Sequence, residues 1–574
     1  MKRYWQILKK YKLNLVLSPI LVLAFVVCET IQPYLMSKII DNGVMVKDLS
    51  VVTQVGLIMI LISIIGLVVN IINVYVSSRA SIGFGTDLRD KLFRKIQDLS
   101  FSEIDNFSSA SLITRLTNDI SKIQHLVLMS LRMLLRSPMM IIMAVFFVIK
   151  INSDMALILL AAIPILSICI YLILAKAFPL FIKVQQKVDV LNAVVRENLI
   201  NIRVVKSFVR EDFETKKFTS SSDDLRDMVI KASNIIVSIF PVMQFIMNLS
   251  VVAILWIGGV KVSEGSLKVG ELVSFVNYLV QILLSLMMMS MVIMSYARAT
   301  ASSRRIVEVL DTPSSLTNTP TGLLDKYRIE KGSITFKDVS FRYAGGENDV
   351  LRNISFHVSE GETIAVVGAT GAAKSSMLQL IPRLYDVSSG EIRIDNINVK
   401  DYNLTELHTK IGMVLQKNEL FTGTILDNLK WGNPEATMDE IEQATNIAQA
   451  HDFIMSFTNG YDTLLGRGGV NVSGGQKQRI CIARALLRKP KILILDDSTS
   501  AVDMETEQKI RSGLKDFLKE TTVFIITQRI NTMQSADRVI VLEDGEVDVI
   551  GKPSELIEKS KVYQEIYNSQ QTAF

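Results

Sequence analysis

At ~150 residues per soluble domain, a 574-residue chain would hold about four units. That quotient does not apply here, because the mean hydropathy is +0.33 and charged residues make up only 21%, under the ~25% of soluble chains. The composition excludes a disordered, a collagen-like and a disulfide-stapled chain. The net charge of +5 hides an asymmetry: 33 Lys and Arg face 21 Asp and Glu through residue 310, and 29 face 36 beyond it. A basic, apolar front half joined to an acidic, water-soluble back half reads as a membrane domain carrying a cytoplasmic one, since basic residues gather where a membrane protein meets the cytoplasm.

Six stretches, near 14–36, 54–76, 126–149, 155–176, 236–260 and 271–295, are apolar and long enough to cross the ~30 Å hydrocarbon layer, which takes about 20 helical residues. Lys9-Lys10-Tyr11-Lys12 before the first resembles the start of a signal peptide, but no small-x-small cleavage site follows, so the first helix is expected to be retained. Loops 37–53, 150–154 and 261–270 are short and poor in Lys and Arg. Loops 77–125 and 177–235 are long and basic, with Arg79, Arg89, Lys91, Arg94 and Lys95 in one and Lys183, Lys187, Arg196, Arg203, Lys206 and Arg210 in the other. This alternation predicts that both termini and the back half lie in the cytoplasm. The long loops hold few Gly or Pro and keep a helical period, as in Phe101, Ile104 and Phe107. Each is therefore expected to be a helical hairpin projecting ~25 Å or more, turning near Asn106–Asn118 and Asn192–Val205. Such a hairpin is either a stabilising extension or a transmission rod.

Polar residues inside apolar spans face protein or water rather than lipid. Gln32, Asn70, Asn73, Gln244, Asn248, Asn277 and Gln281 fit interhelical hydrogen bonding first and substrate contact second. Glu29 has no evident Lys or Arg partner at its depth, which suggests a role toward a cationic substrate. Met287, Met288, Met289, Met291 and Met294 offer a soft surface for apolar ligands, or simple packing. Cys28, Cys169 and Cys481 form no CxxC, and the four histidines (His125, His357, His408, His451) are scattered, which sets aside metal clusters and His-based triads.

Residues 311–332 turn to Thr, Pro, Ser, Asn and Gly, a linker by composition between a membrane domain (1–310) and a second domain (333–574). Ile334 to Tyr343 alternates like a strand. The β-branched run Thr363 to Val367 then passes directly into Gly368-Ala369-Thr370-Gly371-Ala372-Ala373-Lys374-Ser375-Ser376. Strand, loop of backbone N–H donors and helix start together form a phosphate cradle, in which Lys374 reaches the terminal phosphates and Ser375 binds Mg²⁺. Lys491 to Asp496 reads as a buried strand ending in a second Mg²⁺ anchor. Ser473-Gly474-Gly475-Gln476 opens a further helix, a second anion site on the same domain. Two phosphate sites on one domain call for two domains.

With those motifs the whole chain resembles an ABC exporter half: an all-α membrane domain of six helices fused to an α/β P-loop ATPase domain with a helical subdomain. The resemblance implies ATP and Mg²⁺ as cofactors, a second half-transporter as partner, a multi-pass place in the cell membrane, and no nucleic acid. It makes Tyr343 the aromatic that stacks on adenine, and Gln416 a sensor of Mg²⁺ and of the membrane hairpins. Ser473 and Gly475 would close on the γ-phosphate held by the partner, Ser500–Asp503 would be exchanged across the interface, and the hairpin turns would be coupling helices.

Three departures from the family pattern fall on one site. Asp497 stands where the family has the Glu that activates water, shorter by one methylene. Gln528 replaces the switch His and cannot carry a positive charge. Ala373 replaces a loop glycine and puts a Cβ where backbone must approach phosphate, a strain if φ is positive. The signature is nearly intact, with Val472 in place of Leu. A poor catalytic pair beside a good signature resembles the degenerate-site subunit of heterodimeric bacterial multidrug exporters. The expected cargo is lipophilic, with a cationic compound favoured by Glu29; the same scaffold also serves lipid or peptide translocation, or an ATP-gated regulatory subunit.

Overall fold

The computed structural model describes residues 4–316, 327–497 and 502–571. They form two compact units, Met1–Arg94 with Leu112–Asp311, and Lys95–Ser111 with Thr312–Phe574. Most of the expected linker, residues 317–326, lies outside the described residues.

The first unit is helical: α1 (Lys12–Lys38), α2 (Leu49–Gln97), which ends inside the second unit, then, past α3 (Phe101–Phe107) of that second unit, α4 (Ile120–Met129), α5 (Arg136–Ile151), α6 (Ser153–Ile200), α7 (Ile202–Ser207), α8 (Glu211–Val237), α9 (Ile239–Ser263) and α10 (Val269–Asp311). Among the described residues six helical stretches are long and apolar enough to cross a membrane. At 1.5 Å per residue the 49 residues of α2 reach ~70 Å, more than twice the hydrocarbon thickness. Leu57, Leu61 and Ile64 on that helix are exposed, the surface an apolar solvent would cover. Polar side chains in the spans find partners in neighbouring helices. Ser18 Oγ donates to Asn73 Oδ1 at 2.7 Å, Tyr278 Oη to the Thr30 carbonyl at 2.8 Å, and Gln32 Nε2 to Ser63 Oγ at 3.1 Å. The Glu29 expectation needs correction. Its carboxylate accepts from Arg136 Nη2 at 2.8 and 3.1 Å, so a basic partner 107 residues away neutralises it. The side chains of Met287, Met291 and Met294 lie outside the described residues.

The first hairpin turns inside the expected Asn106–Asn118 range, but the helix leading to it is broken. The chain leaves helix at residues 98–100, forms the seven-residue α3, and reverses at Ser108 with φ of 55°, after which helix resumes at Ser109. Ser100 and Glu103 form a capping box, with Glu103 Oε2 accepting from Ser100 N at 2.9 Å, and this starts a separate helix where apolar period alone suggested continuity. The second turn holds α7 and a reversal at Val209 (φ of 53°), beyond the expected Asn192–Val205 range.

Among the described residues of the second unit twelve strands build three sheets: β1 (Ile334–Phe341), β2 (Leu351–Val358), β3 (Thr363–Gly368), β4 (Ser389–Ile394), β5 (Ile397–Asn398), β6 (Ile411–Val414), β7 (Gly423–Thr424), β8 (Leu464–Leu465), β9 (Ile492–Asp496), β10 (Thr522–Ile526), β11 (Arg538–Glu543) and β12 (Glu546–Gly551). The order is β2-β1-β4-β5 in one sheet, β12-β11-β3-β10-β9-β6 in the main sheet, and β7-β8 in a ribbon. From β11 to β6 the main sheet is parallel. Its central strands β9 and β10 are buried along their whole length and β3 along all but its first residue, which is why these runs are continuously apolar while β2 alternates.

Candidate nucleotide site

Parallel strands end on a common edge, and in open α/β sheets ligands bind beyond the carboxyl ends. Four candidate segments leave that edge: the loop from Gly368 after β3, Asp497 after β9, Gln528 after β10, and Gln416 after β6. Register holds them together: Ile526 pairs with both Val366 and Asp496, and Leu495 with Val414. Beyond the ladder, Asp497 N donates to the Ile526 carbonyl at 3.3 Å and Thr527 N to the Val366 carbonyl at 3.3 Å.

The loop closes through glycine conformations. Gly368 has φ of 151°, and a Cβ there would meet the Leu542 carbonyl at 2.2 Å; Gly371 has φ of 92°. Ala373, immediately before helix α11 (Lys374–Gln379), sits at φ 66°, ψ 23°, a left-handed conformation that alanine adopts only at a cost. Lys374 Nζ donates to the carbonyls of Gly368 and Ala369, both at 2.8 Å, within the curl of the loop. Burial pulls the Lys374 ammonium below its ordinary value, opposed by the carboxylates of Asp496 and Asp497. Ser375 Oγ donates to Asp496 Oδ1 at 3.0 Å. Burial pushes the Asp496 carboxyl up, against the Ser375 hydrogen bond and helped by Asp497. A hydroxyl and a carboxylate brought together are hard oxygen donors that fit Mg²⁺, so these two residues suit the group the motif implies.

Tyr343, two residues beyond β1, is half-buried; its hydroxyl lies 2.8 Å from Ser376 Oγ, tying it to the first turn of α11. Gln416 and Gln528 are exposed at the edge. Ser473 to Gln476 sit apart, at the start of helix α12 (Gly474–Leu486). Ser473 N donates to Gln476 Oε1 at 2.9 Å and Gln476 N to Ser473 Oγ at 3.3 Å. Ser-x-x-Gln is thus a capping box, a structural reason for both polar residues, while Gly474 and Gly475 occupy the first turn without side-chain bulk. Of the interface loop, Ser500 and Ala501 lie outside the described residues; Asp503 caps helix α13 (Met504–Phe517), accepting from Thr506 N at 2.9 Å.

Known proteins match this arrangement from end to end. Residues 15–286 match the description "ABC transporter transmembrane region" and residues 351–500 the description "ABC transporter". The chain is 42% identical over 570 residues to the ABC transporter ATP-binding protein YfiB of Bacillus subtilis (strain 168), covering 99% of this chain and 98% of that protein. The chain belongs to the ABC transporter family. An ABC transporter ATP-binding relative with a named task, the ATP-dependent lipid A-core flippase of Desulfotalea psychrophila, is 32% identical, with 99% of each chain covered. The putative multidrug export ATP-binding/permease protein YgaD of Bacillus subtilis is 31% identical, again over 99% of both chains. Among solved structures, a bacterial Atm1-family ABC exporter with ATP bound superposes with a TM-score of 0.81 at 25% identity, over 98% of each chain. The molecule is therefore an ABC half-transporter, a multi-pass membrane domain fused to an ATP-binding domain.

Two residues that sequence reasoning passed over join this ABC domain together. Gln478, buried on α12, donates from Nε2 to the Asp497 carbonyl at 3.1 Å, connecting the signature helix to the residue after β9. Tyr385 donates to Asp105 Oδ2 of α3 at 2.7 Å, and its ring lies edge-on to Tyr343 with centroids 5.3 Å apart. Phe101 of α3 packs against Tyr385 as well, at 6.1 Å. The only sequence signal for Gln478 was a polar residue in an otherwise buried helical face; Tyr385 had none.

Proposed function

We propose that this chain is the degenerate-site half of a heterodimeric ATP-driven exporter of lipophilic or lipid-like compounds. The observation that carries the reading is the clustering of all three departures along one edge: Ala373 after β3, Asp497 after β9 and Gln528 after β10, with the Ser473–Gln476 turn intact on a separate helix. In this reading Lys374, the backbone of residues 368–375 and Tyr343 hold ATP, while Ser375, Asp496 and Gln416 hold Mg²⁺, which when bound supplies charge neutralisation at the phosphates. Asp497 places its carboxylate too far back to align water, and Gln528 can only hydrogen-bond. Ser473 and Gly475 complete the partner's competent site, where turnover occurs.

Closure of the two ATP-binding domains then reaches the membrane helices through α3 and α7. Both termini face the cytoplasm on the charge alternation of the loops. Glu29 no longer argues for cationic cargo, because Arg136 neutralises it. The likeness to a lipid A-core flippase and to putative multidrug exporters supports lipid-like and lipophilic cargo alike.

The test is purification of the tagged chain from its native membranes, mass-spectrometric identification of its companion, and reconstitution into vesicles. The expected result is a second half-transporter with Glu and His at the two positions, and ATP-dependent uptake. A stable homodimer with two equally hydrolytic sites would overturn the heterodimer, and ATP turnover without any vesicle uptake would overturn export.

A further inference from the structure

Charges within apolar spans are costly and tend to mark function. In the membrane unit Glu29 and Arg136 form such a pair, and their hydrogen bonding is incomplete. Arg136 serves both carboxylate oxygens from Nη2 alone, at 2.8 and 3.1 Å, rather than through the two-nitrogen fork that saturates a carboxylate. Among the described residues nothing accepts from its Nε or Nη1. The guanidinium lies 4.8 Å from the Phe25 ring centroid, and the two side chains keep 26% and 32% of their surface exposed. On α10, Gln281 Nε2 reaches the Glu29 carbonyl at 3.4 Å, while its Oε1 is buried without a partner. Three helices thus converge on a neutral cluster with donors and acceptors to spare.

The cluster sits at the end of an apolar seam. Val22, Val26 and Glu29 recur at helical spacing on one face of α1, as do Arg136, Met140 and Met143 on α5. Val22, Val26 and Met140 are buried together, with Met143 packed against them. An anion alone would meet the Glu29 carboxylate, and a cation alone the Arg136 guanidinium. A headgroup carrying both charges satisfies each partner; the seam is already filled by Val22, Val26 and Met140, so hydrocarbon chains would lie outside it, against exposed apolar residues of α1 such as Leu23 and Val27.

We propose that Glu29, Arg136 and Gln281 form a headgroup site for a zwitterionic amphiphile, one bearing an ammonium and a phosphate on acyl chains. The proposal rests on the export reading and names its cargo class. The ammonium pairs with Glu29, the phosphate takes the free Nε and Nη1 donors of Arg136, and Gln281 Oε1 accepts from an ammonium hydrogen.

The experiment is native mass spectrometry of the purified full-length transporter with three dioleoyl lipids: phosphatidylethanolamine, phosphatidylglycerol and a trimethylammonium lipid. The expected result is about tenfold tighter retention of phosphatidylethanolamine than of either singly charged lipid. Glu29→Gln shifts preference to phosphatidylglycerol and Arg136→Gln to the cationic lipid. Exchanging the charges, Glu29→Arg with Arg136→Glu, restores the zwitterion and shows that lost binding in the single variants is not lost folding. Equal retention of all three lipids, or equal weakening of all three by both single variants, overturns the site. So does free glycerophosphoethanolamine binding as tightly as the lipid, which would make the ligand a soluble headgroup. Vesicle uptake is read separately: intact uptake with no lipid preference removes this site and leaves export standing.

Discussion

Replacing Asp497 with Glu tests the assignment of the weak ATP site at the atom where it is argued to fail. Asp497 has φ of 46° and is held from both sides, its N–H by the Ile526 carbonyl at 3.3 Å and its own carbonyl by Gln478 Nε2 at 3.1 Å. The backbone is therefore fixed between two elements and cannot slide to make up a missing methylene, so the carboxylate stays about 1 Å short of the position a glutamate would reach. A displacement of that size costs ~10²-fold in rate, or about 2.7 kcal/mol of barrier. Asp497→Glu is expected to raise hydrolysis at this site by up to ~10²-fold, and Gln528→His added to it to raise it further, since a histidine can bear the charge that glutamine lacks. The assay is vanadate trapping of a photoreactive ATP analogue by the intact transporter, with label counted separately on each chain. Unmutated, this chain should trap little and its partner much; Asp497→Glu should bring label onto this chain. Equal trapping on both chains before mutation, or no gain in the double variant, would refute the reasoning.

Three further outcomes are expected. Ala373→Gly removes a left-handed cost of about 1–2 kcal/mol and loses about 0.4–1 kcal/mol to the greater entropy of the unfolded chain, so the full-length protein should gain up to about 1.6 kcal/mol by thermal unfolding; a lowered midpoint contradicts the strain. Tyr385→Phe and Asp105→Ala each delete the same hydrogen bond, worth about 1 kcal/mol, so their effects on cargo-stimulated ATPase should fail to add in the double variant; full additivity would show that the bond carries no coupling. His408 is held below its ordinary value of 6.5, chiefly by burial and also by Arg488, against its hydrogen bond to the Pro382 carbonyl. The unfolded chain then binds the extra proton first, so this residue's contribution is complete above about 6.5 and declines as pH falls below it; His408→Asn should flatten stability between pH 7.5 and 5.5, and an unchanged slope would exclude it.

What could be read in advance was local. β3, β9 and β10 announce themselves as unbroken apolar runs because parallel strands are covered on both faces, and each ends at or within two residues of a candidate residue, Gly368, Asp497 and Gln528. The membrane helices are legible for a similar reason, a bilayer demanding length and apolarity whatever the packing. The positive φ at Ala373 could be inferred because it sits where the loop motif demands a glycine. Arg136 could not be assigned to Glu29 beforehand, since which helix faces which is decided by packing between α1 and α5, and no periodicity spans 107 residues. Tyr385 was equally silent: its partner Asp105 lies on a seven-residue helix begun by the Ser100–Glu103 cap, at a point where the apolar period alone predicted an uninterrupted rod.

Gln478 gives the asymmetry of the ATP site a physical consequence. The signature turn and the residue after β9 serve different nucleotides in the proposed dimer, yet within this chain they are one side chain apart, α12 holding the Asp497 carbonyl. A shift of α12 when Ser473 and Gly475 meet the partner's nucleotide would pull directly on Asp497, and a competent glutamate there would have its alignment tied to the state of the opposite site. An aspartate that does not hydrolyse can accept that pull without loss. In the proposed dimer the Asp497 position would then be free to act as a nucleotide-filled hinge, while the partner's site would keep the turnover.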